Sequence, residues 1–101
     1  MSVSPHILVI DDEPQILRAM RTILTEKKFR VTVANRGEEG LALAAANPPD
    51  IVILDLGLPD MDGFEVCARL REWTQIPIIV LSVRDSERDK VAASIWAQMI
   101  I

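Results

Sequence analysis

"ILVIDDEP", residues 7–14, runs four branched apolar residues straight into three acids and a proline. With His6 it makes the segment "HILVI" (6–10), whose almost unbroken apolar character predicts a strand covered on both faces, as in a parallel sheet between two helical layers. Pro14 falls where the first turn of a helix tolerates it. Beyond it Ile16, Leu17, Met20, Ile23 and Leu24 recur at helical spacing, which predicts a helix to about Lys27. The strand therefore ends on adjacent carboxylates, and these need something to neutralise them.

The rest of the chain repeats this alternation. "FRVTVA" (29–34) alternates polar with apolar residues and reads as a half-exposed edge strand. "GEEGLALAAA" (37–46) reads as a helix stopped by "NPPD". "IVIL" (51–54) is a second fully apolar strand closed by an acid, Asp55, and "GLPDMDG" (57–63) is a loop by composition. A third helix follows, with Phe64, Val66, Cys67 and Leu70 expected to face inward, then Trp73 packed at its end and a strand "IPIIVLS" (76–82) closing on Ser82. "RDSERDK" (84–90) reads as a solvated helix start. Short connections between alternating strands and helices predict a doubly wound α/β fold: a parallel sheet, right-handed crossovers and helices on both faces.

Composition narrows the function classes. The chain has 101 residues, half of them apolar, and a net charge of −4, enough for one small packed domain. A negative balance disfavours phosphate-backbone binding, so no direct DNA contact is expected. A single cysteine, Cys67, forms no internal disulfide and reads as a small core residue, while the lone His6 opens a strand. The N-terminus lacks signal-peptide character and no apolar run approaches a membrane span, which points to the cytoplasm. There is neither a Walker loop nor a G-x-G-x-x-G. "DMDG" invites an EF-hand reading, but Leu58 and Arg69 stand where such a loop needs acids.

In doubly wound sheets, ligands bind beyond the carboxyl ends of the strands, where Asp11, Asp12, Asp55 and Ser82 all fall. If the first and third strands are neighbours, as in the flavodoxin-like order, Asp12 and Asp55 converge. Carboxylates that close raise one another's pKa unless a cation intervenes, and hard oxygen ligands suit Mg²⁺. Asp55, alone at its strand end, is the candidate nucleophile toward a phosphoryl group, and Ser82 the candidate hydroxyl donor to it. A plainer reading makes Asp12 or Glu13 a helix cap and Ser82 a turn residue.

Together, "ILVIDDEP", "IVILDLGLPDMDGFEVCARLRE" and "PIIVLS" resemble the receiver domain of bacterial two-component response regulators. "DLGLPDMDG" with "REWTQIPIIVLS" is similar to the KdpE-type, potassium-responsive branch of the OmpR/PhoB subfamily. The resemblance covers residues 6 to about 93 and implies a strand order of 2-1-3-4 in a CheY-like sheet. It further implies that Asp55 accepts a phosphoryl group from a sensor histidine kinase, that Asp11, Asp12 and Asp55 bind Mg²⁺ with the backbone carbonyl of Gly57, and that Ser82 is the switch hydroxyl. Such a domain is a signalling module that promotes only its own phosphorylation.

The pattern breaks after "KVAAS". No residue matches the family lysine that pairs with the phosphoryl group, since Lys90 lies too early, and the tail 94–101, "SIWAQMII", is too short for the family's fifth strand and fifth helix. The single domain 1–101 is thus expected to be truncated, to expose an apolar patch and an unpaired edge, and to self-associate or pair with other receiver domains. Two alternatives accompany this reading: a non-functional or interaction-only fragment, and an aspartate-based phosphatase. The second is disfavoured by Gly57, which stands where that class carries a second acid.

Overall fold

The computed structural model describes residues 4–81 and 95–96. Seven elements alternate as expected: β1 (His6–Ile10), α1 (Pro14–Glu26), β2 (Arg30–Ala34), α2 (Gly37–Ala46), β3 (Ile51–Asp55), α3 (Gly63–Arg71) and β4 (Ile78–Leu81). A two-residue strand, β5 (Ile95–Trp96), completes a sheet of order β2-β1-β3-β4-β5. The first four strands are parallel neighbours, and β5 pairs antiparallel with β4 through Val80 to Trp96 and Leu81 to Ile95. Two residues of the short tail therefore pair with the edge of β4 that the sequence reading left unpaired. A parallel fifth strand is absent among the described residues. Ser82, Lys90 and the helix start read at 84–90 lie outside them.

β1 is buried at every position because it has strand neighbours on both sides and helices on both faces. Its alternation divides the core. Leu8 and Ile10 join Val52, Leu54, Ile78 and Val80 beneath α2 and α3, where Ala44, Val66, Cys67 and Leu70 are also buried. Ile7, Val9 and Ile53 face the other way, toward α1. That second layer is thinner: α1 has no buried residue, and its Leu17, Met20 and Leu24 are only partly covered.

The buried faces of α1 and α3 are narrower than the sequence pattern implies. Ile16 and Ile23, 40% and 51% exposed, flank the Leu17–Met20–Leu24 stripe that meets the sheet, since successive helical residues turn by about 100°. Phe64 is 61% exposed, because Val66, Cys67 and Leu70 already define α3's inner face. Trp73, expected to pack, is 47% exposed in the turn after α3.

α1 ends without a glycine. Lys28 takes the left-handed conformation at φ 73°, and the N–H groups of Phe29 and Lys28 donate to the carbonyls of Leu24 (3.1 Å) and Thr25 (2.9 Å). This is a Schellman closure, with Phe29 and Leu24 in the same apolar cluster. At the N-terminal edge of the sheet, the His6 N–H donates to Asp50 Oδ2 at 2.7 Å and the Asp50 N–H to the His6 carbonyl at 2.7 Å. The buried His6 ring meets Thr32 Oγ1 through Nε2 at 2.7 Å, which places the only histidine at the end of β1 opposite the acids.

Candidate functional site: an acidic cleft

The pairing of Ile10 with Leu54 puts Asp11 level with Asp55, one residue beyond each strand's last apolar position. Strand alternation then sends both side chains to the face of Val9 and Ile53, the thinner α1 side. Asp12 follows at once. One carboxylate oxygen from each of Asp11, Asp12 and Asp55 lies within 4.8 Å of the others. They share a cleft of about 380 Å³ with Glu13, Ile16, Gly57 and Leu81.

Helix capping does not account for this grouping. The residue at the N-cap of α1 is Glu13, and no side chain caps the helix there. Asp11 instead accepts the Glu13 N–H through Oδ1 at 2.9 Å, and its own N–H continues the sheet ladder to the Ala34 carbonyl at 3.0 Å. Asp11 is 6% exposed, and burial pushes its pKa from 3.8 to about 6. The Glu13 N–H opposes that rise, and the negative charges of Asp55, Asp12 and Glu13 add to it. The cleft thus concentrates negative charge that a cation would relieve, and carboxylate oxygens are the ligands hard divalent cations prefer.

The loop after β3 frames the cleft. Gly57 lines it and bridges antiparallel to Asp62, and the Gly63 N–H donates to the Leu56 carbonyl at 3.1 Å. Asp62 caps α3 by accepting the Phe64 N–H at 2.9 Å. Gly63 is not there for a left-handed turn, since no described glycine has positive φ. Its role is proximity: a Cβ there would sit 2.7 Å from Leu56 Cα and 2.9 Å from the Asp55 carbonyl oxygen. Ser82 follows Leu81 in sequence and lies outside the described residues. Cys67 stays in the core, where burial pushes its thiol pKa up, so nothing there favours a thiolate nucleophile.

Asp60 was passed over in the sequence. Its carboxylate accepts the N–H groups of Gly37 (2.8 Å) and Glu38 (2.9 Å), and these bonds, that from Glu38 foremost, hold its pKa below the usual carboxylate value.

The doubly wound sheet thus gathers three aspartates at the ends of β1 and β3. The response regulator receiver domain model matches residues 7–99, and the chain belongs to that family. Among its relatives are the transcriptional regulatory protein KdpE of Mycobacterium tuberculosis, 56% identical over 87 residues, and the KDP operon transcriptional regulatory protein KdpE of Escherichia coli, 48% identical over 88. Those matches cover 86% and 87% of this chain but only 38% and 39% of the relatives, so the chain spans well under half their length. Solved structures agree on the fold. The chemotaxis response regulator CheY4 of Vibrio cholerae superposes with a TM-score of 0.78 at 29% identity, covering 88% of this chain and 77% of that one. The BeF3-activated N-terminal receiver domain of Klebsiella pneumoniae RstA gives 0.75 at 31%, covering 85% and 74%. The chain is thus a two-component receiver, similar to the KdpE-type regulators, in a family whose general mechanism is aspartate phosphorylation. Among the described residues, no helix is long and apolar enough to cross a membrane.

Proposed function

We propose that Asp55 is the phosphoacceptor, that Asp11, Asp12 and Asp55 with the Gly57 carbonyl hold Mg²⁺, and that the phosphodonor is a sensor histidine kinase. The observation that carries this reading is the convergence of three carboxylates from two strands within 4.8 Å, beside Gly57 in one cleft. Few oxygens from the protein, with room left for water and a phosphoryl group, is the ligand set Mg²⁺ favours over a complete cage. When bound, the cation offsets charge on the transferring phosphoryl group.

The chain's own residues do the rest. An Asp55 carboxylate oxygen attacks phosphorus, the phosphorus–nitrogen bond of the phosphohistidine breaks, and the electron pair leaves with the imidazole, which is then protonated. Asp55 gains an acyl phosphate and no redox partner is needed. Ser82, next in the chain after the cleft-lining Leu81, is proposed to donate its hydroxyl to a phosphoryl oxygen. The cytoplasm is the compartment this chemistry fits.

Intact-mass measurement after incubation with a small phosphodonor and Mg²⁺ tests the reading. One phosphoryl adduct is expected, absent in Asp55→Asn and absent with a chelator. A soluble, folded chain that forms no adduct would leave an interaction-only module, and catalytic turnover of a phosphomonoester dependent on Asp55 would make it a phosphatase.

A further inference from the structure

The first amides of a helix have no partner within it and need one from outside. At α2 the N-cap residue is Arg36, which offers no capping side chain. The acceptors come instead from Asp60, more than twenty positions downstream in the loop after β3, at 2.8 Å from the Gly37 nitrogen and 2.9 Å from the Glu38 nitrogen. The neighbouring Met61 reinforces the contact. Its side chain fills the space a Cβ on Gly37 would take, 2.5 Å from that position, and packs against the core together with buried Leu58.

The same loop is closed at its base by the Gly57–Asp62 bridge and by the Gly63 N–H on the Leu56 carbonyl. It is thus a hoop, with Gly57 at the cleft and Asp60 clasped to α2. We infer that Asp60 is a positioning residue for the cleft: by capping α2 across the fold, it fixes the loop that presents the Gly57 backbone to the cation and phosphoryl group. The inference rests on the reading of Gly57 as a metal-binding carbonyl, and it joins the cleft mechanically to the start of α2. Asp60 itself touches neither cation nor phosphoryl group.

The test compares the full chain with Asp60→Ala and Asp60→Asn, using a small phosphodonor and titrating Mg²⁺ to half-maximal adduct formation. Asp60→Ala is expected to raise the half-saturating Mg²⁺ about tenfold, the lower end of what loss of an outer-shell partner does to a metal site. Asp60→Asn, which keeps one acceptor for the α2 amides, restores most of that loss. Without metal, amide exchange at Gly63 should accelerate in Asp60→Ala by more than exchange at β1 amides does, which separates a loosened hoop from a weaker fold. Where Asp60→Ala is too unstable to assay, a half-saturating Mg²⁺ for Asp60→Asn above the parental value and below about tenfold of it supports the inference, and a parental value overturns it. A working parent with unchanged half-saturation in a folded Asp60→Ala overturns this inference alone, whereas a parent that accepts no phosphoryl group overturns the receiver reading and this one with it.

Discussion

Replacing Asp11 by Asn is expected to stabilise the metal-free protein at neutral pH. The native fold raises this carboxyl from 3.8 to about 6, chiefly by burial, so the fold prefers the protonated form. Such a group costs least below about pH 4, where it is protonated in folded and unfolded chains alike. The cost grows as pH climbs through 4 to 6 and is fully present above that. A rise of this size corresponds to about 3 kcal/mol, and because the cleft opens to solvent at exposed Asp12, screening leaves about 1–2 kcal/mol. Asn keeps the oxygen that accepts the Glu13 N–H and removes the charge. In chelator at pH 8, Asp11→Asn should therefore melt about 5–10 °C above the parent, given the few degrees per kcal/mol of a domain this size. The gap should close between about pH 6 and pH 4. Added Mg²⁺ should stabilise the parent and leave the variant where it was. Parallel melting curves across pH 4–8, or a variant less stable than the parent at pH 8, would refute burial as the source of Asp11's behaviour.

Gly63→Ala has only backbone and Leu56 to push against, so it should cost about 1–3 kcal/mol in urea unfolding and also slow phosphoryl uptake, because the displaced group is the Asp55 carbonyl. Leu54→Ala empties a fully buried site in the denser core layer and should cost about 2–5 kcal/mol, a large part of the roughly 5–15 kcal/mol that holds a domain together. Lys28→Gly relieves a left-handed residue at the end of α1 and should raise stability by about 0.5–1 kcal/mol; a loss instead would show that the Lys28 side chain contributes more than its backbone costs. Arg69→Ala breaks an exposed pair with Glu65 at 2.9 Å and should change stability by no more than about 0.5 kcal/mol.

The parallel order and the acidic cleft were legible because each is written in local pattern. An apolar run with no polar alternation must lie in mid-sheet, and β1 does; a run with alternation must lie at the edge, and β2 does. Acids directly after two such runs must meet if the runs are neighbours, and the pairing of Ile10 with Leu54 makes them so. Phe64 misled because hydrophobicity alone does not say which of two adjacent turns faces in; Val66, Cys67 and Leu70 outvote it. Asp60 was illegible for a different reason. Capping rules look a few residues along the chain, whereas this cap reaches across more than twenty. One trace was present: Arg36, directly before a helix, is a poor cap, so its amides had to be met from elsewhere.

The cleft is assembled from the two ends of a long chain closure. β1 and β3 meet with Ile7 against Ile51, so Asp11 and Asp12 find Asp55 only after α1, β2 and α2 have been looped out between them. No shorter piece of the chain contains the site. A cation that prefers the three carboxylates together therefore binds the native sheet and ignores its fragments, and by mass action every tenfold excess over its dissociation constant adds about 1.4 kcal/mol to the free energy of global unfolding. Chelation acts on the whole molecule in the same way, so the thermal midpoint is itself a titration of the cleft.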